Sequence, residues 1–114
     1  MEARQFLLGA CLPTIQEVVL EADRPVLKIV FIRGPILHIR YNDHGKYAYQ
    51  LDFSPTTDDF VRFDNYDDTW PVETRPHHFH PRFGAVVVSS PMKGNPMNDI
   101  PLLVEKLTEF SILK

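Results

Sequence analysis

The sequence predicts an α+β domain. A curved antiparallel meander of about five to six strands carries a C-terminal helix, and a short N-terminal one, on its oily face. Two observations carry this reading. Between residues 14 and 64, runs rich in alternating apolar and β-branched residues recur, joined by short turns. Near residue 98 the period changes, and Ile100, Leu103, Val104, Leu107 and Phe110 follow at helical spacing. The 114 residues fit one domain spanning 1–114, and a 44% hydrophobic content supports a small core.

Each element has its own warrant. Ala3 to Ala10 suits a short helix with Phe6, Leu7 and Ala10 on one side, stopped by Gly9 and Pro13. Thr14 to Glu21 is rich in β-branched residues and reads as a strand, ended by the turn Asp23-Arg24-Pro25. Val26 to Ile32 is apolar on both faces except at Lys28, as a covered central strand would be. Ile36 to Tyr41 places Leu37, Ile39 and Tyr41 on one face and Ile36, His38 and Arg40 on the other. Asn42-Asp43-His44-Gly45 is a hairpin loop leading into Lys46 to Phe53, with Tyr47, Tyr49, Leu51 and Phe53 together. Asp59 to Asp64 alternates again, with Val61 and Phe63 opposite Phe60, Arg62 and Asp64. From Asn65 to Pro81 no regular pattern survives. Ala85 to Ser89 is a short apolar strand, and Asn98 or Asp99 can cap the last helix, with Pro101 in its first turn.

The bulk properties exclude several classes. A net charge of −3 argues against a protein coated in basic charge, though it permits a local basic patch that touches RNA. The single cysteine, Cys11, allows neither an intrachain disulfide nor a CxxC zinc knuckle, and suits a reducing, cytoplasmic compartment. No apolar run approaches the ~20 residues that span a bilayer, and Met1-Glu2-Ala3-Arg4 lacks a signal-peptide pattern. The meander's exposed edge leaves a homodimer open.

Chemistry concentrates between Phe60 and Gly84. His77, His78 and His80 fall within four positions, bracketed by Pro76 and Pro81 with Arg75 and Arg82 outside. Imidazoles beside arginines suit metal-independent cleavage of a phosphodiester. One ring takes the 2′-OH proton, another protonates the leaving oxygen, and arginine stabilises charge on phosphorus. Asp64 at a strand end can orient a histidine or hold an arginine. Arg40 and Arg62 share the mixed face with His38, Gln50 and Asp64 and can hold phosphate, with Asn65 beside them. The same residues admit other readings. A divalent metal could sit at His77 and His80, or His78 and His80, with a third ligand from Asp64, Asp67 or Asp68. The histidines could instead cap loop carbonyls and pack with Phe79 and Trp70, and the arginines pair with Asp52 or Asp64. The acidic residues Asp58, Asp59, Asp64, Asp67 and Asp68 would repel RNA unless neutralised.

The order of these features resembles the TumE family of small prokaryotic proteins. The resemblance rests on the tyrosine-rich strand Tyr47-Ala48-Tyr49-Gln50-Leu51, the strand end Arg62-Phe63-Asp64-Asn65, and Pro76-His77-His78-Phe79-His80 before a terminal amphipathic helix. It covers roughly residues 15–108. Where family members commonly carry a further Ala-Pro-His-His, this chain has Tyr66-Asp67-Asp68-Thr69. The resemblance implies a toxin of a two-gene toxin–antitoxin pair, neutralised by a DNA-binding antitoxin. The resemblance does not settle the target; from the residues themselves the site expectations are His77, His78, His80 and Asp64 as catalytic residues and Arg40, Arg62 and Asn65 as substrate contacts, with RNA cleaved without a cofactor. A non-enzymatic protein-binding module, or a small metal-binding protein using His77, His80 and Asp64, are the alternatives.

Overall fold

In chain order, seven strands make one open antiparallel sheet: β1 (Ile15–Leu20), β2 (Val26–Phe31), β3 (Ile36–Tyr41), β4 (Tyr47–Asp52), β5 (Phe60–Asp64), β6 (His78–His80) and β7 (Val88–Ser89). Two helices accompany it, α1 (Glu2–Cys11) and α2 (Pro96–Glu109). This computed structural model describes residues 2–11, 14–20, 26–42, 44–66, 69–84 and 86–112. The α+β meander is therefore as the sequence predicts. It gains a strand because His78–His80 pairs with β5 inside the stretch that shows no pattern. Of the described part of the apolar segment expected over 85–89, Val88 and Ser89 pair with β6. The turn expected at Asp23-Arg24-Pro25 lies outside the described residues.

The core lies on the face that alternation marks as oily. Leu37 and Ile39, Tyr47, Tyr49 and Leu51, and Val61 and Phe63 are all buried there with Leu103 and Leu107 of α2. Each such side chain contributes roughly 1.5–3 kcal/mol through loss of apolar surface from water. Strand β1 reaches this core with both Ile15 and Val18, three positions apart. A bulge between Ile15 and Glu17 absorbs the odd residue.

The helices differ from expectation in detail. Helix α1 packs against α2 and buries Leu7 and Cys11, an i, i+4 pair, while Phe6 and Ala10 face outward. Helix α2 begins earlier than Asn98: Asn95 is its cap, accepting from the Met97 N–H, and Pro96 fills the first turn. Pro101 consequently sits inside the helix. Asp99 is fully buried instead of capping; it accepts from the Lys93 and Gly94 N–H groups, the Asn98 amide and the Tyr49 hydroxyl. It fastens the turn before α2 to the middle of the sheet.

Candidate functional site

Register builds the site. Across β3, β4, β5 and β6, His38 faces Gln50, Gln50 faces Arg62, and Arg62 faces His80. One row over, Arg40 faces Ala48, Ala48 faces Asp64, and Asp64 faces His78. Side chains two apart on a strand share a face, so Arg62, Asp64, His78 and His80 all stand on the polar side. Phe79, between the two histidines, turns to the other side and lies against Phe63 at 4.4 Å between ring centroids.

Asp64, 3% exposed, is the hub. Its Oδ2 accepts from Arg62 Nε at 2.6 Å. Its Oδ1 lies 2.6 Å from His78 Nε2 and 3.6 Å from His80 Nε2. The Pro76 carbonyl lies 2.9 Å from His78 Nδ1. A carbonyl can only accept, so His78 carries a proton on Nδ1. The short approach of His78 Nε2 to Asp64 Oδ1 is not aligned as a hydrogen bond, and both buried atoms lack a hydrogen-bond partner among the described residues. Buried polar atoms are seldom left in that state. Burial lowers the His80 pKa, helped by His78 and Arg62 and opposed by the Asp64 carboxylate, so this ring is neutral near pH 7.

The network continues outward. Arg62 donates to the Gln50 side chain at 3.2 Å, Gln50 donates to Asp52 at 2.8 Å, and Asp52 meets His38 Nε2 at 3.0 Å. Over the cluster opens a cavity of about 300 Å³ lined by Gln50, Phe60, Arg62, Asp64, Trp70, His78 and His80. It adjoins a second, of about 510 Å³, that shares Phe60, Trp70 and His80 and adds Pro71, Pro81, Val86 and Val87. Trp70 meets the His80 ring edge-on at 5.6 Å.

Three expected residues stand elsewhere. His77 precedes β6; its Nδ1 is 2.9 Å from the Tyr47 hydroxyl and its ring stacks on Tyr47, which belongs to the core. Asn65 is buried, accepting from the Tyr47 N–H and donating to the Gly45 carbonyl, so its amide clips the β3–β4 hairpin to the end of β5. Arg40 shares the polar face but is separated from Asp64 by Ala48, and makes no hydrogen bond or ion pair among the described residues. Gln50 stands on the mixed face and Trp70 packs on the histidines, as the sequence allows, though neither they nor Phe60 carried a site role there. Alternation marks the face of Gln50 and Phe60, whereas Trp70 lies in a segment without a period. Asp67 and Asp68 lie outside the described residues. Two of the acids that would repel RNA are paired, Asp59 with Arg82 and Asp64 with Arg62.

An antiparallel sheet with a histidine–aspartate–arginine cluster on its open face defines a small α+β protein with a concentrated polar site. The chain matches the family described as toxin TumE over residues 13–110, and it belongs to that family. A toxin role comes with the family, and a toxin family implies an antitoxin partner. Neither the curated proteins nor the solved structures hold a match to the chain. Among the described residues no helix is long and apolar enough to cross a membrane.

Proposed function

We propose that this toxin is a ribonuclease acting on the polar face of the sheet, and that its antitoxin is a DNA-binding protein. The observation that carries the reading is the convergence of Arg62, Asp64 and His80 at the mouth of an aromatic-lined cavity. Arg62 commits Nε to Asp64 and one terminal nitrogen to Gln50, which leaves guanidinium hydrogens for phosphate oxygens. Phe60 and Trp70 offer ring faces on which a base can stack. The 2′-oxygen attacks the adjacent phosphorus, the O2′–P bond forms, and the P–O5′ bond breaks. The proton from the 2′-OH passes to the Asp64–His78–His80 cluster, and the departing 5′-oxygen takes one from water. The products are a 2′,3′-cyclic phosphate and a 5′-hydroxyl.

A cofactor-free pair of imidazoles acting as acid and base needs two accessible rings. Here His77 is engaged by Tyr47 and His78 is 1% exposed, so within the Asp64 cluster His80 is the partly exposed ring. The cluster therefore supports the reading as a unit, with Arg62 as the phosphate contact.

Purified protein incubated with mixed cellular RNA is expected to give fragments ending in 2′,3′-cyclic phosphate. Arg62→Ala is expected to slow cleavage about 100-fold, the usual cost of removing one preorganised donor from developing charge. Wild-type protein that cleaves no RNA, or an Arg62→Ala protein that cleaves at the wild-type rate, would overturn the reading.

A further inference from the structure

We infer that Asp64, His78 and His80 form a binding site for a divalent transition-metal ion. Asp64, His78 and His80 each offer a ligand atom, and the three atoms all lie within 4.8 Å of one another. Around an ion with bonds of ~2.1 Å, ligand atoms stand about 3–3.5 Å apart. The 3.6 Å between His80 Nε2 and Asp64 Oδ1 nearly meets that, and the 2.6 Å between His78 Nε2 and Asp64 Oδ1 opens by less than an ångström to do so.

The hydrogen-bond pattern points the same way. With His78 Nδ1 donating to the Pro76 carbonyl, Nε2 is the ring nitrogen left to meet Asp64 Oδ1, 2.6 Å away and out of line for a hydrogen bond. Both atoms are buried without a hydrogen-bond partner among the described residues, a state buried polar atoms seldom keep. A cation bound beside the two would satisfy both. A backbone carbonyl that fixes the distal nitrogen of a ligating histidine is the usual outer support of such sites. Arg62 plays the matching part for Asp64, holding Oδ2 and leaving Oδ1 free.

The donor set selects the ion. Two imidazoles and one carboxylate suit zinc, cobalt or manganese, whereas magnesium and calcium prefer oxygen alone. Three protein ligands leave positions open toward the cavity, the arrangement of a reactive rather than a purely structural ion. With one carboxylate, one guanidinium and a divalent ion, the pocket carries net positive charge and attracts phosphate. Binding of the ion does not depend on the ribonuclease reading; a part for it in activating the attacking oxygen does.

The test uses the full chain, stripped with chelator and titrated calorimetrically with zinc, cobalt and magnesium salts. Saturable uptake of zinc and cobalt at one ion per chain is expected, with none for magnesium. His80→Ala, which removes the one partly exposed ligand, is expected to lose zinc uptake, and His77→Ala to keep it. In the wild-type protein, imidazole nitrogen resonances of His78 and His80 should shift on zinc addition while those of His77 and His44 stay. No saturable uptake by the wild type, uptake retained by His80→Ala, or shifts at His77 or His44 instead would overturn the site. Zinc binding without RNA cleavage would uphold this site and defeat the ribonuclease reading. Full cleavage by ion-free protein that takes up no zinc would do the reverse.

Discussion

Two buried aspartates show how environment separates a structural residue from a candidate functional one. Asp99 receives four donors and is completely enclosed. Asp64 is almost as buried, yet one of its oxygens has no hydrogen-bond partner among the described residues. In the sequence Asp99 reads as a helix cap and Asp64 as a residue able to orient a histidine or hold an arginine; the fold shows what each one meets. Asp99→Ala removes the acceptor shared by four donors and leaves a cavity under α2, and should lower stability by about 3 kcal/mol or more. Urea unfolding measures this; a loss under about 1 kcal/mol would assign the turn before α2 to other contacts. Asn65 teaches the same lesson from the other side. Its place beside Asp64 suggests a substrate contact, but the next residue in an extended chain points away, and its amide is consumed by the hairpin.

At the scale of elements, β6 decides the site. Four residues between prolines are too few to show a period, so the sequence shows the histidines without showing which face each takes. Pairing with β5 settles it, because His78 and His80 fall opposite Asp64 and Arg62 while His77 stays outside the strand. A 3-10 turn (Arg82–Gly84) follows, and there Arg82 bonds to Asp59 in the β4–β5 connection and lies over the Phe53 ring. The Arg82 hydrogen bond, with a second from Ser54, holds the Asp59 carboxyl below its usual range. Because the folded-state pKa is depressed, the stabilisation is present above the unfolded value of ~3.9 and is lost as pH falls through the folded one. Asp59→Asn should therefore unfold at lower urea than wild type at pH 7, with the gap closing below about pH 4. An equal gap at pH 7 and pH 3 would show that this pair does not carry the acid sensitivity.

For the molecule as a whole, the fold was largely legible and the site half so. Alternation in β3, β4 and β5 assigns Tyr49, Leu51 and Phe63 to the core and Gln50, Arg62 and Asp64 to the open face, because a period of two fixes faces wherever one side is buried. The same rule cannot reach Trp70, which enters the cavity from an irregular segment, and cannot measure how far Arg40 lies from Asp64 across an intervening strand. The resulting architecture keeps one face packed under two helices and leaves the other for chemistry. We propose that this open face is what makes the protein toxic. Growth of cells induced to express the Arg62→Ala/His80→Ala double variant, at protein levels matched to wild type and with the same circular-dichroism spectrum, tests it most directly. Growth arrest by wild type and normal growth with the double variant is the expected result; arrest by both would contradict the account.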